Sequence, residues 1–466
     1  MCRWIIFMGQ KPLLLEDLLI QPNHSIVEQV HERFLPGLFY NVDEADKAEL
    51  KDRLKYLFNV HGFGLIWYTD TLSHFDDTVK GLQPAQFRTI APISTDLAFK
   101  QLCRHTASTC VLAHIRAASF PPVVEINNHP FIYGNITFQH NGGIASFNVI
   151  RFDVIQKIKE LQSIVQAHPQ TIKPQSSVKD GDYVFALLGN TDTEHLALLF
   201  IAWLDIIRAV FRAHGASQSQ NFGTTTMLLA LVLAIDDIHS IQKINLVGPF
   251  RLGGNGYTGN TLNICVADGG TEMLATRWRD SPNGQPASLY LSFTAGEKLN
   301  RKYTTPPVLK GHDLFEDDDV KIQSVTELVA RYKSQPPSPQ GLHLIVGSEP
   351  CTRERDDWAL FDKNQCLTLD KHGNVDLQLL DELFADGIPN TLRKKVNQMV
   401  MELSDSGSSP PIVPGFGSSQ NWRSAVANLH GAVSNSSQPK AEPPQQLDVG
   451  GILRGTPSAI HLNLNK

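Results

Sequence analysis

The order of elements read from the sequence predicts an α+β protein that fits a four-layer αββα sandwich, followed by a disordered tail. Three observations carry this. The chain opens on an apolar run, residues 2–8, that reads as a buried strand beginning at the terminus. Two long apolar helices are expected at 193–213 and 224–240, the first stopping near Gly215. Strand character then returns at 262–266, 272–278, 287–293 and 342–346.

Between the first strand and the long helices, short helices are expected at 13–20 and 27–36. Residues 64–68 and 109–116 are β-rich runs bounded by turn residues. Residues 135–140 alternate Ile136, Phe138 and His140 with polar neighbours and then break at Asn141-Gly142-Gly143, a common hairpin signal. A helix follows at about 144–162, then a polar loop over 168–181. Residues 217–221 form a polar connection between the two long helices. Residues 300–320, with the acid run Glu316-Asp317-Asp318-Asp319, and 334–340, with Pro336, Pro337 and Pro339, read as inserted or disordered loops. One domain is therefore expected over 2–400. Beyond about 403, Ser, Pro, Gly and Gln dominate, and the tail to 466 reads as disordered.

The bulk composition excludes several classes. The 466 residues carry a net charge of −6 with no long basic run, which gives nucleic-acid binding no electrostatic support. The apolar stretches 196–211 and 227–235 are interrupted or short, and read as buried helices rather than membrane spans. The apolar run at 4–8 ends too early for a signal peptide. The six cysteines form no C-x-x-C pair, so a zinc site is not expected, and their sparseness suits reduced thiols in the cytoplasm.

The most informative residue is Cys2. Removal of Met1 leaves it with a thiol and a free α-amine, which titrate near 8.5 and about 7.7–8.0 respectively. One residue then supplies both nucleophile and base. A buried structural Cys is the alternative. Downstream, polar motifs end apolar runs: Ala113-His114-Ile115-Arg116, Asn127-Asn128-His129-Pro130, Gln139-His140-Asn141-Gly142-Gly143 and Gly189-Asn190-Thr191-Asp192-Thr193-Glu194.

In this order behind Cys2, the motifs resemble the class II glutamine amidotransferases, which are N-terminal-nucleophile hydrolases. The resemblance extends through Asn23-His24-Ser25-Ile26, residues 59–68, 263–268 and 289–292, and Gly347-Ser348-Glu349-Pro350. This fuller pattern is similar to the amidotransferase-like subunits of fungal glutathione degradation by the DUG pathway, and to their bacterial relatives. It covers roughly residues 2–370.

The resemblance implies the αββα fold of N-terminal-nucleophile hydrolases and acyl transfer through a γ-glutamyl thioester on Cys2. Asn141 and Gly142 would form the oxyanion hole. Arg116 would hold the substrate α-carboxylate, and Asp192 its α-ammonium. The alternatives are a tight turn for Asn141-Gly142-Gly143, a surface ion pair for Arg116 and an N-cap for Asp192. Glu194 reads as a first-turn charge complementing the helix dipole. His114, His129 and His140 read as structural, with no metal and no cofactor. Gly62 and Gly64 would let the backbone pass close to Cys2, or form a plain turn. Ser348-Glu349-Pro350 is a marker without a mechanism.

Glutamine and glutathione share the recognised γ-glutamyl half and differ in the leaving amine. The second half of the chain continues the same fold, and no phosphate-binding glycine motif appears. Cleavage of glutathione is therefore expected, and the DUG-type resemblance implies a metallopeptidase partner subunit. The alternatives are a glutaminase subunit supplying ammonia to a separate synthase, and a non-catalytic γ-glutamyl-binding or scaffold subunit.

Overall fold

A computed structural model of the chain describes residues 2–30, 61–117, 122–174, 178, 181–213, 223–251, 254, 256–281, 284–303, 323–352, 354–384 and 387–405. In chain order the elements are β1 (Arg3–Leu14), α1 (Leu15–Leu19), β2 (Phe63–Thr69), β3 (Gln83–Thr89), α2 (Leu97–His105), β4 (Ala107–Ile115), β5 (Phe131–Tyr133) and β6 (Ile136–Gly143). Three long helices follow: α3 (Phe147–Ala167), α4 (Asp192–Ala213) and α5 (Gly223–Asn245). Then come β7 (Thr261–Asp268), β8 (Glu272–Arg277), β9 (Tyr290–Ser292), α6 (Ala295–Leu299), β10 (Gln323–Ser324), α7 (Val325–Ser334) and β11 (His343–Gly347). The last are β12 (Ala359–Leu360), β13 (Gln365–Leu369), β14 (Val375–Leu379), α8 (Leu380–Phe384) and α9 (Ile388–Asp405).

The strands form an eight-stranded sheet, β10-β12-β9-β11-β1-β4-β2-β3, and a six-stranded sheet, β14-β13-β8-β7-β6-β5. β1 lies inside the larger sheet, antiparallel to β11 and β4, with Ile5 opposite Gly347 and Arg3 opposite Ile115. Its period-two alternation sends Ile5 and Phe7 to one side, into a cluster with Leu15, Leu18 and Phe99. Trp4, Ile6 and Met8 go to the other, where they meet Cys265, Ala267 and Met273 of the second sheet. Both faces are covered, so the strand reads as a continuous apolar run.

A third cluster joins Phe138, Ile264 and Leu274 to Ile150, Leu198, Leu229 and Val396 of the covering helices. Three apolar layers thus separate helices, sheet, sheet and helices. α4 is buried along its length from Thr193 to Phe211, which explains its all-round apolar surface. Its interruptions are satisfied internally: the Tyr183 hydroxyl donates to Asp205 at 2.8 Å, and Arg208 pairs with Asp268. Among the described residues, one helix, α5, is long and apolar enough to cross a membrane, and its central stretch is buried in this core.

Three expectations need revision. Asn141-Gly142-Gly143 is not a turn: β6 continues through it, pairing these residues with Asn263, Leu262 and Thr261 of β7. A pairing partner more than a hundred residues away outweighs the local Asn-Gly preference. Between the expected loops 300–320 and 334–340, β10 and α7 are formed, α7 carrying a capping box of Ser324 and Glu327. Residues 335–340 connect α7 to β11 and are tied down by the Ser338 hydroxyl, which donates to Glu297 at 2.9 Å. α9 runs to Asp405, past the expected boundary at 400. The acid run, the 217–221 connection and the tail from 406 onward lie outside the described residues, as does the 27–36 helix apart from a single turn at Glu28–Val30.

Candidate active site

Cys2 immediately precedes β1 and is half-buried. The Ala117 N–H faces its Sγ at 3.4 Å. Burial pushes the thiol above its ordinary value; the Ala117 N–H and the positive charges of Arg116 and Arg3 pull it back.

Arg116 follows β4, next to the start of β1. Its N–H donates to Gly62 O at 2.8 Å, and the His61 N–H donates to its carbonyl at 3.1 Å. The side chain is buried, with Nη1 donating to Pro122 O at 3.3 Å. Burial lowers its pKa; the negative charges of Cys2 and Asp192 oppose this, so these three groups share one electrostatic neighbourhood.

Asp192 opens α4. It is not the N-cap: Thr191 Oγ1 accepts from the Glu194 N–H at 3.2 Å and does that work. The Asp192 carboxylate accepts from Thr193 N–H at 2.8 Å and from Ile144 N–H at 2.9 Å, which ties the helix start to the chain leaving β6.

Asn141 and Gly142 form the last part of β6. The Asn141 Nδ2 is buried and has no hydrogen-bond partner among the described residues. Such an orphaned donor costs about 1–3 kcal/mol. Gly142 has φ +152, and a Cβ built on it would come within 1.8 Å of Thr261 O, so only glycine fits. The two sheets meet here: Trp4 Nε1 donates to the carbonyl of Asn263 at 3.1 Å, and Asn263 is the register partner of Asn141. Gln139 Nε2 likewise reaches Ile5 O at 3.4 Å. The fold thus brings all five sequence-predicted residues to one end of the sheet pair.

The three histidines brace this end. His114 Nε2 and His129 Nδ1 lie 3.2 and 3.0 Å from the carbonyl of His140, the residue before Asn141, and 3.1 Å from each other. His140 Nε2 faces Thr261 O at 2.9 Å and so carries the ring proton; its Nδ1 accepts from the Thr193 hydroxyl, also at 2.9 Å. Burial pushes His114 down to about 3 and holds His129 and His140 below the usual histidine range, so the trio is neutral near pH 7. Among the described residues no group of three His, Cys, Asp or Glu side chains could hold a metal ion.

Two readings are corrected. Gly62 and Gly64 do not make room for Cys2; a Cβ on them would strike the Asn128 side chain at 2.4 Å and His129 O at 2.0 Å. Glu194 is more than a first-turn charge: its buried carboxylate folds back to accept from Leu188 N–H at 2.9 Å and Gly189 N–H at 2.8 Å, shaping the loop before Asp192. Ser348-Glu349-Pro350 acquires a physical role. Ser348 exchanges hydrogen bonds with the main chain of Trp4, Glu349 faces Arg3, and Pro350 O lies 2.7 Å from His24 Nδ1. The invariably short range of sequence patterns hides such contacts, which span more than 300 residues.

Sequence comparison agrees with the class that the motifs suggest: the chain resembles the class II glutamine amidotransferases of the DUG type. It is 26% identical over 386 residues to the probable glutamine amidotransferase DUG3 of Saccharomyces cerevisiae, covering 83% of this chain and 86% of that protein. A solved glutamine aminotransferase class-II domain protein from Silicibacter pomeroyi aligns over 81% of this chain and 97% of its own, with 16% identity and a TM-score of 0.41. No protein-family model matches the chain.

Proposed function

We propose that the protein is a γ-glutamyl amide hydrolase or transferase of the N-terminal-nucleophile type, acting through a thioester on Cys2 and cleaving the γ-glutamyl bond of glutathione with a metallopeptidase partner subunit. The observation that carries the reading is the idle, buried Asn141 Nδ2 beside Gly142, at the strand end that faces the start of β1. An amide donor without a protein partner among the described residues, next to the Gly142 backbone N–H, is available to a developing substrate oxyanion.

The chemistry follows from the residues. With Met1 removed, the Cys2 α-amine takes the thiol proton and Sγ attacks the γ-carbonyl. The developing oxyanion receives the Asn141 side-chain N–H and the Gly142 backbone N–H. As the tetrahedral intermediate collapses, the amine passes its proton to the leaving nitrogen. Water, or an acceptor amine, then releases the γ-glutamyl group. Arg116 and Asp192 are of opposite sign and share one neighbourhood, which suits the α-carboxylate and α-ammonium of a γ-glutamyl head.

Two observations support glutathione as donor. The second half of the chain contributes β7–β14 to the same two sheets rather than building a separate synthase domain from the described residues. Cysteinylglycine also offers a binding site far more contact than ammonia does. The test is glutamate release from glutathione and from glutamine, side by side, with and without a co-purifying peptidase. A higher kcat/KM for glutathione is expected. Robust glutamine hydrolysis with no glutathione cleavage under any condition would replace this reading with ammonia supply.

A further inference from the structure

One buried ionisable pair next to the nucleophile has no part in the acyl transfer just described. Arg3 follows Cys2 directly, and its Nη1 donates to the Cys2 carbonyl at 3.1 Å. Its Nε lies 3.7 Å from Glu349 Oε1, with the two side chains only 3% and 1% exposed. The Ser288 hydroxyl donates to the same Oε1 at 2.7 Å. Burial pushes Glu349 up to about 7, with Arg3 and Ser288 pulling it back.

The residues around this pair are equally fixed. The β1–β11 ladder ends at Ile5 opposite Gly347. Ser348 then adds a rung of its own: Trp4 N–H donates to Ser348 Oγ at 3.0 Å, and Ser348 N–H donates to Trp4 O at 2.8 Å. Glu349 is therefore carried to Arg3 by an extension of the strand pairing rather than by a free loop.

A chain-terminal residue has one peptide bond and an unusual freedom to swing. Two restraints remove that freedom here. Arg3 grips the Cys2 carbonyl, and so sets the peptide plane from which the Cys2 Cα hangs. The Ala117 N–H sets the direction of Sγ. The amine, the remaining polar substituent on that Cα, then has a defined position relative to the thiol.

We infer that Arg3 and Glu349 are positioning residues for Cys2, a buried clamp that holds its main chain so that amine and thiol meet the substrate in attack geometry. The inference rests on the reading of Cys2 as nucleophile. Neither residue is asked to touch substrate, so their loss should fall on kcat and not on KM.

The test compares wild type with Arg3→Met, Glu349→Gln and Cys2→Ala, measuring glutamate release from glutamine and from glutathione together with thermal midpoints. Arg3→Met should lower kcat by about ten- to a hundred-fold, the range expected of small misplacements, with KM within about two-fold. Glu349→Gln keeps the shape and the Ser288 contact, and should give a smaller loss in the same direction. It also decides the matter if Arg3→Met fails to fold. Full kcat in the folded variants, or a rise in KM with kcat intact, overturns the clamp. Turnover surviving in Cys2→Ala overturns instead the nucleophile reading on which it rests.

Discussion

The two walls of the candidate site are built on opposite principles. The wall at β6 is neutral: His114, His129 and His140 are held uncharged by burial, and the first two brace the His140 carbonyl before Asn141. The wall behind β1 is ionisable: Arg3 and Glu349 face each other out of water beneath Cys2. A neutral brace adds no charge of its own beside the proposed oxyanion donors Asn141 and Gly142. The inferred Arg3–Glu349 clamp, sealed from solvent, would fix the residue proposed to move protons. Arg116 and Asp192 are the charges proposed to meet a zwitterionic head group.

The largest effect should come from the reacting atoms. Cys2→Ala is expected to abolish turnover while leaving the circular-dichroism spectrum and melting temperature unchanged. Nucleophile and base share that one residue, so residual activity above background would break the scheme. Asn141→Ala should follow, with kcat reduced about a hundred- to a thousand-fold, as for other single oxyanion donors. A change in KM alone would place Asn141 outside the transition-state contacts.

Substrate anchoring should matter less. Arg116→Ala and Asp192→Asn should each weaken γ-glutamyl binding by about 1.5–3 kcal/mol, the usual worth of a charge-assisted contact. Calorimetry on the Cys2→Ala background would read this without turnover. Equal affinity in both variants would remove the pair from the pocket.

The two walls should also answer pH in opposite senses. An unfolded histidine titrates near 6.5, while His114 in the fold does so at about 3. Acidification below about 6.5 therefore protonates the unfolded chain first, and the neutral wall loses stability as pH falls. Glu349 is raised from an ordinary value near 4.3 to about 7. Its contribution is fully present below about 4.3 and is lost as pH rises to about 7. Melting temperature against pH should thus flatten on the acid side in His114→Gln, and lose a decline between those two values in Glu349→Gln. Identical curves for wild type and both variants would show that neither buried group is perturbed. The smallest effect belongs to Thr191→Ala, which should cost about 1 kcal/mol of stability as a lost N-cap and little activity.

Much of this was legible in the sequence where one element explains itself. β1, α4 and α5 announce themselves because both faces of the strand and most sides of the helices are buried, so their apolar runs are long, broken in α4 by the internally paired Asp205 and Arg208. Cys2, Arg116 and Asp192 stand out because each sits at the end of such a run. What was hidden depends on distant pairing. Asn141-Gly142-Gly143 has the local chemistry of a turn and becomes strand only because β7 lies beside it. The Trp4–Ser348 and Arg3–Glu349 contacts join residues more than 340 positions apart, and no local pattern encodes them. β13, β14 and α8 are five residues each, too short for a period to declare itself.

The account turns on a free, acylated Cys2, and intact-mass analysis of enzyme quenched during turnover reads both features at once. The expected species lacks Met1 and carries one added γ-glutamyl group that maps to Cys2 and disappears on chase with hydroxylamine. A fully active protein that retains Met1, or whose γ-glutamyl adduct maps to any other residue, would contradict it.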